Sequence, residues 1–394
     1  MKSNLSLCRL CNSKEKKNLI LSLKGMPIAA QHFLDENEIN KKDKTIDLEI
    51  LQCGKCGLVQ LDIEPVSYYK SMITAASISG ATKKLRLNQM KNLSKRFNLN
   101  QKKIIEIGCG TGAMLDIIKE AGMDAYGLEY SDNSVKEGLS EGRKIIKGYL
   151  TDLNIINENK FDAFICFNFL EHIPNLNLFV KSIYNNLKDS GIGLVTVPNL
   201  NYLLETKSFY EFVPDHLSYF TKNTLKLLFE QNNFEIIECN LINNKNDIQI
   251  LIKKSKKIKS LIKNQPKILE LTKDYQEVEK LIIDLQRISK KYNSAGKKIA
   301  VWGAGHRTLA LLALSKFKDI EFIIDSAKFK QGKYSPVNLT KIVSPEVLYE
   351  KNIDLLIIML PGIYPDEVIK NIISMNLNIE IAKLKDNKIE FILL

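Results

Sequence analysis

Ile104-Ile105-Glu106-Ile107-Gly108-Cys109-Gly110-Thr111-Gly112 is the stretch that decides the fold. An apolar strand runs into a glycine turn, and the helix-forming Ala113-Met114-Leu115-Asp116-Ile117-Ile118 follows at once. Glycines admit the backbone angles that such a turn needs and let the main chain pass close beneath a flat ligand. The next apolar strand, Ala125-Tyr126-Gly127-Leu128, ends on Glu129, an acid placed to accept hydrogen bonds from two ribose hydroxyls. A glycine turn alone is a weak signal, but turn and acid together predict a nucleoside ligand.

The wording of the turn resembles the first motif of the class I S-adenosylmethionine (SAM)-dependent methyltransferases, with Glu106, Gly108, Gly110 and Gly112 at the family's positions. The likeness continues in order. Phe161-Asp162-Ala163-Phe164-Ile165-Cys166-Phe167-Asn168 reads as the fourth strand, Leu170-Glu171-His172-Ile173-Pro174 follows it, and Leu187-Lys188-Asp189-Ser190-Gly191 precedes a fifth strand, Gly193 to Val197. The resemblance implies SAM as cofactor, bound by Glu106, Gly108, Gly110, Gly112, Glu129 and Asn168.

Four of the seven cysteines fall as Cys8-x-x-Cys11 and Cys53-x-x-Cys56. Two such knuckles close a tetrahedral thiolate site around one zinc ion, which suits a small N-terminal module with little core of its own. Gly54 and Gly57 favour the tight turns required. Four thiolates leave no open position for substrate, so the predicted zinc is structural. Cys109, Cys166 and Cys239 read as packing residues.

At 394 residues the chain has room for several domains with substantial cores. We divide it into a zinc-binding module (1–65), a SAM methyltransferase core with its lead-in helix (66–253), a connecting helix (254–295) and a C-terminal Rossmann-like domain (296–394). The fold class is therefore α/β throughout its two larger domains. Glu64-Pro65 breaks the chain, and Leu85, Leu87, Met90, Leu93 and Phe97 give Ala81 to Phe97 helical spacing. Pro266 to Tyr292 reads as one amphipathic helix. The C-terminal domain opens on Lys298-Ile299-Ala300-Val301-Trp302-Gly303-Ala304-Gly305-His306-Arg307, and its next strand ends on Asp325. Thr308 stands where a dinucleotide fingerprint has its third glycine, so a cofactor-free domain of Rossmann shape is expected rather than an NAD site.

The net charge of +12 admits an acidic partner such as RNA, an anionic surface or a phosphorylated small substrate. The densest basic run, Lys253 to Lys263, reads as a solvated face at a domain junction. The start lacks the apolar core of a signal peptide and no apolar run reaches membrane-spanning length, so a cytoplasmic protein without a membrane partner is expected.

Knuckles, SAM core and terminal Rossmann-like domain in this order resemble the sugar-nucleotide C-methyltransferases. Gly25-Met26-Pro27-Ile28-Ala29, Cys56-Gly57-Leu58-Val59-Gln60, Gly303 to Arg307, Phe329-Lys330-Gln331-Gly332-Lys333-Tyr334-Ser335-Pro336 and Ile342-Val343-Ser344-Pro345 carry the likeness. It implies a nucleotide-linked deoxy, keto or amino sugar as substrate. It also points to a catalytic segment at Val213-Pro214-Asp215-His216 ahead of Ser218-Tyr219-Phe220. His216 is the expected base, Asp215 the acid that orients it or holds a sugar hydroxyl, His172 the second candidate, and Tyr69 with its neighbour Tyr68 a donor to the acceptor oxygen. His306, Arg307, Lys330 and Lys333 are expected to meet the substrate diphosphate.

Val213 and Pro214 replace a tyrosine and a histidine of the family, and Asn244-Lys245-Asn246-Asp247 replaces a His-Gly-Gly-Ser stretch. O- or N-methylation of a nucleotide sugar or another small molecule therefore stays open beside C-methylation. An RNA methyltransferase is a further alternative, supported by charge and knuckles. Against it, Asn168-Phe169-Leu170-Glu171 lacks the Asn-Pro-Pro-Tyr pattern of base-nitrogen methylation. A non-enzymatic scaffold is the third reading.

Overall fold

The computed structural model describes residues 7–14, 17–39, 45–71, 80–150, 156, 160–256, 265–362 and 364–392. Its strands are β1 (Lys17–Pro27), β2 (Thr45–Cys53), β3 (Val59–Leu61), β4 (Lys103–Ile107), β5 (Asp124–Glu129), β6 (Ile145–Lys147), β7 (Phe161–Phe167), β8 (Leu187–Pro198), β9 (Ser218–Tyr219), β10 (Phe234–Ile242) and β11 (Asp247–Lys254). Towards the C-terminus come β12 (Ile299–Trp302), β13 (Ile320–Ile324), β14 (Ile342–Val343), β15 (Leu355–Ile358), β16 (Glu380–Lys385) and β17 (Lys388–Ile392).

The central sheet has the order β10-β11-β8-β7-β4-β5-β6. β4 pairs in parallel with both β5 and β7, and its residues after Lys103 are buried, as a near-continuous apolar run requires when helices cover both faces. The strand order reverses at β4, so the crevice beyond its carboxyl end is where a ligand sits in such a sheet. The glycine turn, Glu129 at the end of β5 and Asn168 after β7 all reach that crevice. β11 runs antiparallel to both neighbours, which gives the sheet the antiparallel edge of the class I SAM-dependent methyltransferase fold.

The N-terminal sheet, β1-β2-β3-β9, is completed from inside the core: Val59 pairs with Tyr219 and Gln60 with Ser218. The C-terminal sheet, β14-β13-β12-β15-β16-β17, is parallel except for β17 and so Rossmann-like, as expected. These parts share one interior. Leu23, Leu48 and Leu61 of the N-terminal sheet pack in the same buried cluster as Phe212 and Leu217 of the core and Leu309 and Leu312 of the C-terminal part.

The lead-in helix spans Gly80–Phe97, in line with its spacing. The connecting helix differs: it begins at Thr272, not Pro266. The preceding backbone is engaged elsewhere, because Leu269 N–H donates to Gln52 Oε1 at 2.8 Å and Gln52 Nε2 donates to Lys267 O at 3.2 Å. Residues 257–264 of the basic run lie outside the described residues. Among the described residues, no helix is long and apolar enough to cross a membrane.

Candidate functional site

The glycine turn takes left-handed angles at Gly108 (φ 73°), Gly110 (φ 56°) and Gly112 (φ 88°). A Cβ at Gly108 would stand 2.8 Å from the Phe169 ring, whereas at Gly110 it would meet nothing within 4 Å, so the space above the turn is open. Buried Glu129 accepts from the Gly110 N–H at 2.9 Å through Oε2, and from the N–H groups of Tyr130 (2.9 Å) and Ser131 (2.7 Å) through Oε1. Burial raises its pKa and these bonds oppose the rise. An ionised carboxylate has about four lone-pair sites, so it keeps capacity for ribose hydroxyls. Lys70, Tyr130, Gly148, Tyr149 and Phe169 line the adjoining hollow. Glu106 is buried, its Oε2 has no hydrogen-bond partner among the described residues, and burial pushes its carboxyl up to about 8. Asn168 (φ 46°) is held by Thr196, whose Oγ1 donates to its Oδ1 at 2.7 Å. An open cradle beside a fixed acid, with one orphaned carboxyl oxygen, fits a nucleoside that carries a cationic group.

Beside this crevice lies a cleft with about 1020 Å³ of empty space, partly open to solvent. Gln31 reaches it from the N-terminal module, Asn168, His172 and His216 from the core, and His306 and Arg307 from the C-terminal part. His172 Nδ1 lies 2.7 Å from the Asp215 carbonyl. A carbonyl only accepts, so the proton belongs on Nδ1 and Nε2 keeps its lone pair. Burial lowers the His172 pKa to about 4. The His216 ring stands edge-on at 4.8 Å, and burial, then the neighbouring histidines, holds it well below the ordinary value. Both imidazoles are neutral at pH 7.

Several expected roles change. The Asp215 carboxylate accepts from the Ala30 N–H (2.9 Å) and the Tyr68 hydroxyl (2.6 Å), so it fastens the N-terminal module rather than orienting His216; its carbonyl orients His172 instead. Tyr69 packs edge-on against Tyr149 at 5.8 Å, by the hollow at the glycine turn; Tyr68 is the tyrosine that reaches Asp215. Lys330 donates to Ala304 O (2.9 Å) and Asp325 (3.0 Å), and Lys333 pairs with Asp35 at 3.7 Å, so neither lysine lines the cleft. His306 and Arg307 do line it, but both are bound to Glu211, Arg307 Nε at 2.7 Å and His306 through Nε2.

The sequence reading left out Glu171 and Glu211. Glu171 was visible only as the neighbour of His172; it is buried in the cleft wall, its Oε2 has no hydrogen-bond partner among the described residues, and burial pushes its carboxyl up to about 8, which favours the protonated form at neutral pH. The signal for Glu211 was a lone charge within the aromatic run Phe209-Tyr210-Glu211-Phe212.

The four knuckle cysteines bring their sulfurs within 4.8 Å of one another, with Cys8–Cys56 at 3.5 Å and Cys11–Cys53 at 3.8 Å. A tetrahedral zinc with bonds of about 2.3 Å has sulfur–sulfur edges of about 3.8 Å, so the thiols fit that ion. Each knuckle turns through a left-handed residue just after its second cysteine, Asn12 (φ 53°) and Gly57 (φ 81°); Gly54 is not left-handed.

Three family descriptions match in chain order: a zinc binding domain over residues 8–65, "Methyltransferase domain" over 82–239 and "C-methyltransferase C-terminal domain" over 253–376. The C-methyltransferase NovU of Streptomyces niveus is 24% identical over 59% of this chain and 56% of its own length. A ubiquinone biosynthesis O-methyltransferase of Bordetella avium is 26% identical over 30% of this chain and 50% of its own length. The chain thus spans about half the length of these curated relatives. Among solved structures, the protein PH0226 of Pyrococcus horikoshii aligns with 48% of this chain and 99% of its own at 17% identity and a TM-score of 0.39. The magnesium protoporphyrin IX methyltransferase of Synechocystis aligns with 46% and 90% at 14% identity and a TM-score of 0.37.

Proposed function

The chain belongs to the SAM-dependent methyltransferases, with the zinc-binding and C-terminal domains of the C-methyltransferases, and from that premise we propose that it methylates a carbon of a nucleotide-linked sugar. The observation that carries this reading is a neutral His216, whose ring has no hydrogen-bond partner among the described residues, beside the tautomer-fixed His172, in a cleft bordered by the crevice at the glycine turn and by the C-terminal domain.

Bound SAM supplies an electrophilic methyl group on its sulfonium. Glu129 holds the ribose hydroxyls and the glycine turn passes beneath the nucleoside. His216 would accept the proton from the carbon beside the sugar's ketone, and the electron pair left on that carbon would take the methyl group while the pair of the broken methyl–sulfur bond stays on sulfur, so that S-adenosylhomocysteine leaves. Glu171 in its protonated form donates to the ketone oxygen as charge builds there. His306 and Arg307 serve the diphosphate end from the far wall, and the zinc holds the N-terminal module in place. The replacements at Val213 and Pro214 favour a second reading, in which the same base deprotonates a sugar hydroxyl or amine.

Isotope-labelled SAM incubated with nucleotide-linked 4-keto and amino sugars, read by mass and NMR, tests both. A methyl carbon bonded to sugar carbon is the expected product; one bonded to oxygen or nitrogen replaces the first reading with the second. His216→Asn should lower turnover by roughly 10²–10⁴ with SAM affinity retained. Near-normal turnover in that variant, with loss in His172→Asn, would move the base to His172.

A further inference from the structure

Glu171 and His172 stand on the short turn Leu170–His172 that follows β7, and His216 on the segment ahead of β9. Two hydrogen bonds lock these segments together: the Leu217 N–H donates to the Glu171 carbonyl at 2.8 Å, and His172 Nδ1 donates to the Asp215 carbonyl at 2.7 Å. A carboxyl group and two imidazoles therefore converge, with an oxygen and two nitrogens all within 4.8 Å of one another. All three side chains are buried, and all line the cleft.

What meets there is a set of lone pairs. His172 Nε2 keeps its own because Nδ1 carries the proton, and it lies 4.0 Å from Glu171 Oε1, too far for a hydrogen bond. Glu171 Oε2 and the His216 ring have no hydrogen-bond partner among the described residues. His216 offers one lone pair whichever nitrogen holds its proton. Buried polar groups are satisfied as a rule, so three such groups facing one cleft call for a common partner. A proton serves one of them; a divalent cation serves all three.

The donor set decides which cation. Two imidazole nitrogens and a carboxylate oxygen suit zinc and its borderline divalent neighbours. His172 also has the outer-shell bond of a metal-bound imidazole, its second nitrogen donating to a carbonyl. Bonds of about 2.1 Å put tetrahedral ligand atoms about 3.4 Å apart, so the trio draws in by up to roughly 1.4 Å on binding. His306, whose ring is 5.8 Å from that of His216, stays outside because Glu211 holds its Nε2. Three protein ligands leave a fourth position open to the cleft.

We propose that Glu171, His172 and His216 form a second metal site, apart from the knuckles, which takes a borderline divalent cation such as zinc and shuts the enzyme off while the ion is held. A metal on the His216 lone pair leaves no base to accept the substrate's proton. That consequence rests on the reading of His216 as the base, whereas the site itself does not.

The test titrates cobalt(II) into the full chain with zinc already in the knuckles. One further equivalent should bind with visible d–d absorption, and without the thiolate-to-cobalt charge transfer that exchange into the knuckles would give. A paramagnetically shifted N–H signal from the buried Nδ1 proton of His172 should identify that ligand in the unsubstituted chain. Glu171→Gln and His172→Asn should each weaken cobalt by roughly 100-fold or more, the upper end for loss of an outer-shell partner alone. Retained knuckle zinc and an unchanged thermal transition show that the variants are folded. Cobalt that enters only the knuckles, or binds both variants as tightly as wild type, would overturn the site. Methyl transfer should fall in proportion to the cobalt bound. Cobalt held by the trio with undiminished turnover would overturn the shut-off, and the reading of His216 as base with it.

Discussion

His172 owes its chemistry to a backbone carbonyl. The Asp215 oxygen fixes which ring nitrogen carries the proton, and burial keeps the ring uncharged. His216 is likewise held neutral, by burial and by the two histidines beside it. A base works in its neutral form, and a lowered pKa extends that form to lower pH. The acidic limb of kcat/KM should therefore lie well below pH 6.5, the ordinary histidine value, with His172 itself titrating at about 4. A pH–rate profile on saturating SAM reads this directly. A limb at 6.5 or above would mean that the imidazoles are solvated during turnover and that burial is not what sets their charge.

At the scale of elements, the two-residue strand β9 joins the segment that carries His216 to the N-terminal module. Ser218 and Tyr219 pair with β3, β3 pairs with β2, and β2 ends on Cys53. A zinc at the knuckles would thus hold the strand that follows His216. Structural zinc contributes on the order of 10 kcal/mol to small modules of this kind. Elemental analysis should find about one equivalent of zinc in the wild type, and Cys53→Ser/Cys56→Ser should lose it and lower methyl transfer sharply. Binding of S-adenosylhomocysteine should change little, because the glycine turn belongs to the central sheet. Retention of full metal content, or unimpaired turnover in a zinc-free chain, would contradict this coupling.

Across the whole molecule, Glu211 ties the C-terminal domain to the core, close to Asp215 and His216 in the chain, through His306 and Arg307. Burial alone would raise the Glu211 pKa, but the two cations outweigh it and hold the carboxyl well below the usual range; the same pairing outweighs burial at His306 and raises it. The lowered acid contributes stability that is complete above its unfolded value of 4.5 and is lost as pH falls below it. The raised histidine contributes stability that is complete below 6.5 and is lost as pH rises through its folded value. The clamp is strongest between those values. Glu211→Gln should cost at most about 3 kcal/mol, the low end for a buried pair, since all three side chains keep some exposure. The gap in Tm between wild type and variant should peak between pH 4.5 and 6.5 and narrow on either side. A gap that does not vary with pH would assign the loss to packing instead of charge.

The sequence by itself determined what is local. The alternation of apolar runs with glycine turns set β4, β5 and the crevice at their ends, because period and turn chemistry are written in neighbouring residues. The cysteine spacing set the knuckles for the same reason. The tertiary structure alone decided how distant segments share side chains. Asp215 stood beside His216 in the chain and looked like its partner, yet its carboxylate is satisfied by Ala30 and Tyr68, because a buried acid takes the donors that packing brings to it. Lys330 and Lys333 looked available to a diphosphate, yet Asp325 and Asp35 neutralise them. The meeting of Gln31, His172, His216 and His306 in one cleft follows from a core built by all three parts of the chain. No local pattern encodes that, since it depends on which buried faces find each other once the chain has folded.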